Sequence, residues 1–170
     1  TERIMVCGFS AGGHLAACLG MMWNRDFLYG PLNMAPEDIQ PKGMILCYPV
    51  ITSGEFGHKR SFEQLLGGKA GDPRLRELVS LELQTGPHTP RTFLWHTWTD
   101  QSVPAENSLL LAQALKKAGV SLEMHIYPSG CHGLSLATEE VSDSTGDCLV
   151  PHCQGWMELV KEWIKEKDRE

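Results

Sequence analysis

The sequence predicts an α/β fold, a mostly parallel sheet of about four strands with helices on both faces. Three observations lead there. Strand-like and helix-like stretches alternate four times along the 170 residues. The strand-like stretches are continuous apolar runs, which suit strands covered on both faces. One of them passes through a Gly-x-Ser-x-Gly turn straight into a helical pattern. With 42% hydrophobic residues the chain fills one ordinary domain, residues 1–170, and has no room for two. No linker composition, internal repeat or low-complexity segment divides it.

Ile4 to Cys7 is the first apolar run, and Gly8-Phe9-Ser10-Ala11-Gly12 is the turn after it. Gly8 and Gly12 are expected to be small because the backbone crosses itself tightly there. Ala11 to Met22 follows as a helix, with Leu15, Ala16, Leu19 and Met22 recurring toward the sheet. After a proline-containing loop from Met34 to Lys42, Gly43 to Tyr48 reads as the second strand.

The stretch 49–90 reads as a cap-like or lid-like insertion. It opens with a polar, glycine-containing loop from Ile51 to Arg60, at the kind of strand end where open α/β sheets place their binding crevices. A short helix capped by Ser61, with Gln64 three residues on, comes next, and another runs from Asp72-Pro73 to about Val79. Thr92 to Thr97 is the third strand. Pro104 to Ala118 is a helix with Ala105, Leu109, Ala112 and Leu115 in its stripe and Gly119 as its stop. Leu122 to Tyr127 is the fourth strand. The last helix shows Trp156, Leu159, Val160, Trp163 and Ile164 on one face before a charged tail.

A hydroxyl is a weak nucleophile at neutral pH, so a serine displayed on such an elbow requires a histidine base and an acid at later strand ends. Ser10 is the candidate nucleophile. Asp100, in Thr99-Asp100-Gln101-Ser102-Val103-Pro104, is the candidate acid, and His132, in Gly130-Cys131-His132-Gly133, the candidate base. Asp143 and Asp147 compete for the acid role, but both lie beyond His132. His96 and His125 sit inside strands and are read as satisfied core histidines, and His14 as a residue that packs or bonds locally. His58, His88 and His152 are read as solvated loop residues. Phe9, Phe56, Val103 and Leu134 are candidates to line an acyl or alcohol pocket, and each also fits a place in the core. Trp156 and Trp163 are read as helix-to-sheet packing.

The order Ser10, Asp100, His132 is that of α/β-hydrolases, not of the chymotrypsin or subtilisin arrangements. Three stretches together resemble the acetyl esterase/lipase branch of that superfamily, which includes acetylxylan and feruloyl esterase-like proteins. They are Gly8-Phe9-Ser10-Ala11-Gly12-Gly13-His14-Leu15-Ala16, Phe93-Leu94-Trp95-His96-Thr97 with Asp100 and Val103-Pro104, and Gly130-Cys131-His132-Gly133-Leu134. The resemblance runs over nearly the whole chain and corresponds to the C-terminal half of the family pattern. The N-terminal strands that precede the elbow in the family, and its His-Gly-Gly type oxyanion loop, are not within these residues.

The resemblance implies a serine carboxylic-ester hydrolase with a Ser-His-Asp triad and the Ala11 backbone N–H as one oxyanion donor. It implies small acyl esters as substrates, acetylated or feruloylated carbohydrate among them, and no metal or organic cofactor. A prolyl-oligopeptidase-like serine peptidase shares the triad order and the sheet. A catalytically weak fragment that acts by association is the reading from another class. The second oxyanion donor of this fold comes from a loop after an earlier strand, so these 170 residues alone are expected to turn over poorly.

The formal net charge of −6, with no cluster of Lys and Arg, argues against a nucleic-acid partner. No apolar run approaches the roughly 20 residues that span a bilayer. Six cysteines are spread through the chain and read mostly as small buried hydrophobes of a reducing compartment, which points to the cytoplasm. Cys148 and Cys153 lie close together in a polar loop. They are read as separate thiols, with a disulfide or a metal pair as the alternatives. The chain starts at Thr1, so the native N-terminus is expected upstream and secretion stays open. With no strand before the elbow, Ile4 to Cys7 would be an apolar sheet edge, and a homodimer covering that edge is expected.

Overall fold

Four strands lie side by side in chain order, and every neighbouring pair is parallel: β1 (Met5–Phe9), β2 (Gly43–Cys47), β3 (Arg91–Thr97) and β4 (Leu122–Tyr127). This is a computed structural model, and it describes residues 4–142, 145–146 and 148–166. The helices are α1 (Ala11–Met22), the single turns α2 (Asp26–Tyr29) and α3 (Pro36–Ile39), then α4 (Lys59–Leu66), α5 (Pro73–Val79), α6 (Glu106–Ala118) and α7 (Trp156–Lys165). Parallel neighbours need crossover connections, and these helices provide them. The register aligns Phe9 with Cys47, Cys47 with Trp95 and Thr97 with Tyr127, so the segments after the strands emerge at one rim.

Alternation along the central strands sorts the core into two layers. Met44, Leu46 and Leu94 pack with Ala16, Ala17, Met21, Leu111 and Leu115 of α1 and α6. Ile45, Cys47, Phe93 and Trp95 face the other way and pack with Trp156, Val160 and Trp163 of α7. The Trp95 and Trp156 rings stack with centroids 5.2 Å apart. Full burial of a large apolar side chain is worth about 1.5–3 kcal/mol, so this pair anchors α7. Helices thus cover both faces, as the apolar runs predict. Among the described residues no helix is long and apolar enough to cross a membrane.

The strands fall where the sequence predicts them, whereas the helix faces differ. On α1 the buried residues are Gly13, His14, Ala16, Ala17, Gly20, Met21 and Met22, so Ala16 and Met22 are buried as predicted, while Leu15 is 73% exposed. At two positions the helix lies so close to its surroundings that only glycine fits without displacement. A Cβ on Gly13 would stand 2.7 Å from the Pro49 Cβ, and one on Gly20 2.1 Å from the Met44 Sδ. On α6 the buried residues are Asn107, Ser108, Leu111 and Leu115, and Leu109 is exposed. Two polar residues turn inward there because each has a partner in the core. On α7 the buried stripe narrows to Trp156, Val160 and Trp163, with Leu159 and Ile164 on its exposed margin.

Helix α4 starts two residues before Ser61, with His58 as its N-cap. Ser61 sits inside the first turn, where its hydroxyl bonds the His58 Nδ1 at 2.8 Å, so no capping box with Gln64 forms. Asp72 does cap α5, its carboxylate accepting from the Arg74 and Leu75 N–H groups. The stretch 49–90 is tied to the body by Asn107. The Asn107 side-chain oxygen accepts from the Ile51 and Thr52 N–H groups, and its Nδ2 donates to the Phe56 and Pro104 carbonyls. Loss of that side chain would strand buried N–H groups at roughly 1–3 kcal/mol each.

β1 is one edge of the sheet, with Ile4 and Phe9 exposed along it. β4 is the other edge and is half-buried throughout. His125 is therefore not a core histidine. It shares a 2.8 Å contact with Glu123 Oε1, and both side chains are about one-third exposed.

Candidate active site

Ser10 sits between β1 and α1 with φ 53° and ψ −121°, a backbone conformation that side-chain-bearing residues rarely adopt. The surroundings hold it there. Its N–H donates to the Cys47 carbonyl at 3.0 Å, and its carbonyl accepts from the Val50 N–H at 3.1 Å. Gly8 is required, since a Cβ there would lie 2.1 Å from the Gly12 carbonyl oxygen. Gly12 is not crowded in the same way: a Cβ on it meets nothing within 4 Å, and the tight position on that side is Gly13.

His132 follows β4 in a loop whose glycines carry φ 152° (Gly130) and 87° (Gly133). The loop is pinned. The Gly130 carbonyl accepts from Thr97 and Thr99 hydroxyls at 2.9 and 3.2 Å, and the Gly130 N–H donates to Thr99 Oγ1 at 3.0 Å. His132 Nε2 lies 2.7 Å from Ser10 Oγ, and Nδ1 lies 2.6 Å from Asp100 Oδ2. An Nδ1–H donating to the carboxylate leaves Nε2 free to accept the serine proton, which is the tautomer a general base needs.

Asp100 is buried, and its Oδ1 accepts from the Ser102 and Val103 N–H groups, both at 2.9 Å. Burial pushes its carboxyl pKa up. The bonds to His132, His96 and the Val103 N–H together outweigh that, holding it well below the usual carboxylate range. The acid therefore stays ionised wherever an imidazole can act as base.

Two residues at this site were not singled out for it by the sequence. His96 is a buried, satisfied histidine, as expected, but it also stands 3.3 Å from Asp100 Oδ2. Its Nε2–H donates to the Val103 carbonyl at 2.9 Å, so its Nδ1 accepts the Ser108 hydroxyl at 2.7 Å. Tyr48 follows β2 with φ 38° and packs edge-on against the His132 ring at 5.2 Å. The Tyr48 hydroxyl accepts from the Ser135 N–H at 2.9 Å, and burial pushes its pKa up to about 12. The available signal was position: both residues belong to strand ends beside Ser10, Asp100 and His132.

Ala11 opens α1 directly after the nucleophile, the position of a backbone oxyanion donor. The four expected pocket residues divide. Phe9 is exposed and lies 6.0 Å from both the Tyr48 and Trp156 rings. Phe56 is half-buried in the loop held by Asn107. Val103 and Leu134 are core residues with 1% and 0% exposure, Val103 beside Val50 and Phe62, Leu134 beside Trp95 and Trp156. The Val103 backbone serves the site through its bonds to Asp100 and His96, while both side chains fill the layers beneath it. An apolar cleft of about 400 Å³ starts at Ala11 and runs past His14, Val50 and Phe62. The competing acids Asp143 and Asp147 lie outside the described residues.

His14 bonds locally, as expected, its Nδ1 lying 3.5 Å from the Cys18 Sγ, and it also reaches across 65 residues. Its Nε2 donates to the Val79 carbonyl at 2.8 Å, joining α1 to the end of α5. Burial lowers its pKa from 6.5, against the raising pull of Val79 and Glu82. The folded chain keeps His14 neutral while the unfolded chain takes up a proton below pH 6.5, so stability falls as pH drops through that value. Melting temperature is expected to fall between about pH 7.5 and about pH 5.5, and less steeply in His14→Gln, which still donates to Val79. Equal slopes in a thermal-shift titration would remove His14 as the source.

Cys148 does not approach Cys153 as its sulfur neighbour. Its Sγ lies 3.7 Å from the Sγ of Cys131, and Cys153 is buried against the Ser129 carbonyl. Among the described residues no group of three His, Cys, Asp or Glu is placed to hold a metal ion.

The model of the BD-FAE family matches residues 1–115, more than half of the chain. The chain belongs to the BD-FAE family. The family match includes Ser10 and Asp100 and ends before His132, whose place in the site comes from the hydrogen bonds above. This BD-FAE chain is 37% identical over 139 residues to endo-1,4-beta-xylanase B of Butyrivibrio fibrisolvens, covering 82% of the chain and 22% of that protein. It is 34% identical over 138 residues to an acetylxylan esterase of Xylanibacter ruminicola, covering 78% of the chain and 26% of that protein. Among solved structures, it is similar to an acetyl ester-xyloside bifunctional hydrolase from Caldicellulosiruptor lactoaceticus, with a TM-score of 0.72 and 42% identity. That likeness covers 94% of this chain and 57% of the other. The chain thus spans about a quarter of the length of the curated relatives it matches.

Proposed function

We propose that this chain carries the catalytic serine, acid and base of a carboxylic-ester hydrolase that acts on small acyl esters, with acetylated carbohydrate as the leading substrate class. The observation that carries the reading is the unbroken relay from Ser10 Oγ through His132 to a buried, ionised Asp100. In this reading Ser10 attacks the ester carbonyl while His132 Nε2 takes its proton. The tetrahedral oxyanion forms beside the Ala11 N–H at the start of α1, and His132 then returns the proton to the leaving alcohol. Water repeats the sequence on the acyl-enzyme. Asp100 holds the imidazole tautomer and stabilises its charged form, and His96 and Ser108 position Asp100 from below. The names of the acetylxylan esterase and the acetyl ester-xyloside hydrolase support an acetyl ester on a sugar. A feruloyl ester is the variant within the same class.

The test is a paired assay of acetate release from acetylated xylo-oligosaccharide and of amine release from a prolyl dipeptide amide. The ester is expected to turn over and the amide to remain intact. Cleavage of the amide with the ester untouched would replace this reading by the serine-peptidase one.

A further inference from the structure

The catalytic histidine has a sulfur neighbour on each side of its loop. Cys131 immediately precedes His132 and is exposed, and its Sγ lies 3.7 Å from the Sγ of Cys148, which is half-buried. The intervening chain contains the parts that seat the histidine: the Ser135 N–H on the Tyr48 hydroxyl, the Ser135 carbonyl on the Trp156 indole N–H, and the Ala137 carbonyl bonded by Val150 N–H. The two thiols are in van der Waals contact across such a segment.

We propose that Cys131 and Cys148 form a reversible disulfide that clamps the catalytic-histidine loop. The inference stands on the sulfur geometry and does not depend on the esterase reading. A disulfide needs about 2.05 Å between sulfurs, so the pair must close by roughly 1.7 Å. That movement belongs to the two side chains. Gly130 is held by Thr97 and Thr99, and His132 by Ser10 and Asp100, so the triad keeps its place while the ring closes.

Of the other described thiols, Cys47 and Cys153 are buried, and burial raises their pKa values, as it does that of Cys18. Cys7 is exposed, but it is hydrogen-bonded to Cys47 on the neighbouring strand. A thiolate, not a thiol, is the attacking species, and exposure makes Cys131, not the half-buried Cys148, the first of the pair to react. With oxidised glutathione as oxidant, the Cys131 thiolate attacks one glutathione sulfur and releases one glutathione thiolate. The Cys148 thiolate then attacks the Cys131 sulfur and releases the second. Two electrons pass from the cysteine pair to the glutathione disulfide, and the two cysteine protons end on the released thiolates.

The experiment compares the chain after oxidised glutathione with the chain after dithiothreitol. Digestion uses glutamyl endopeptidase, which cuts at Glu139 and Glu140, together with chymotrypsin, which cuts after Leu149. The expected product is a non-reduced peptide pair joined through Cys131 and Cys148. Melting temperature should rise by roughly 5–10 °C on oxidation. Cys131→Ser and Cys148→Ser should each remove that rise while leaving the reduced chain's melting temperature close to wild type. A link between Cys148 and Cys153, a persistent glutathione adduct on Cys131, two unreacted thiols, or a bridge that leaves melting unchanged would each overturn the proposal.

Discussion

Ser10→Ala is expected to remove measurable ester turnover, a loss of up to about 10⁶ in kcat, the scale seen when a triad nucleophile is deleted. The substitution leaves the elbow in place. Alanine carries the same Cβ as serine at φ 53°, and the backbone bonds from Ser10 to Cys47 and Val50 do not involve the hydroxyl. Melting temperature should therefore stay near that of wild type, so lost turnover reports lost chemistry and not lost fold. Steady-state hydrolysis of an acetyl ester beside a thermal melt checks both halves. Turnover that survives Ser10→Ala would place the nucleophile elsewhere.

Asp100→Asn is expected to lower kcat by about 10⁴. The asparagine oxygen can still accept from the Ser102 and Val103 N–H groups, so the turn after β3 is kept. What changes is the group facing His132 Nδ1. An amide NH₂ donates, so it favours the tautomer in which Nδ1 accepts and Nε2 carries the proton. That Nε2–H points at Ser10 Oγ and cannot take its proton. Kinetics on the variant test the assignment directly. Full kcat in Asp100→Asn, with loss in Asp143→Asn or Asp147→Asn, would transfer the acid role.

The parallel sheet was legible because its strands are apolar runs with no competing periodicity, and each begins and ends within a residue or two of its sequence limits. Ser10, Asp100 and His132 could be picked out together because each sits in a short turn directly after a strand, two of these turns carrying glycine, in a fixed order along the chain. Helix faces were less so. On α1 the sheet side is chosen by smallness, and a hydrophobic pattern ranks Leu15 above Gly13 and Gly20, the reverse of their burial. On α6 the buried Asn107 and Ser108 look like surface residues until the Ile51 N–H and the His96 ring are known to need them. The sulfur pairing was hidden for a different reason. Cys148 and Cys153 are near in sequence, but the Cys148 sulfur lies beside that of Cys131, 17 residues back, where Leu134 and Ala137 pack in one cluster with Trp95 and Trp156.

Covalent labelling tests whether Ser10, His132 and Asp100 act as an assembled triad without requiring fast turnover. A fluorophosphonate reacts with a serine activated by a histidine base, so the folded chain should gain one adduct by intact mass, mapped to the peptide holding Ser10. The adduct should vanish in Ser10→Ala and form far more slowly in His132→Gln. A folded chain that takes no label, or takes it on another residue, would contradict the account.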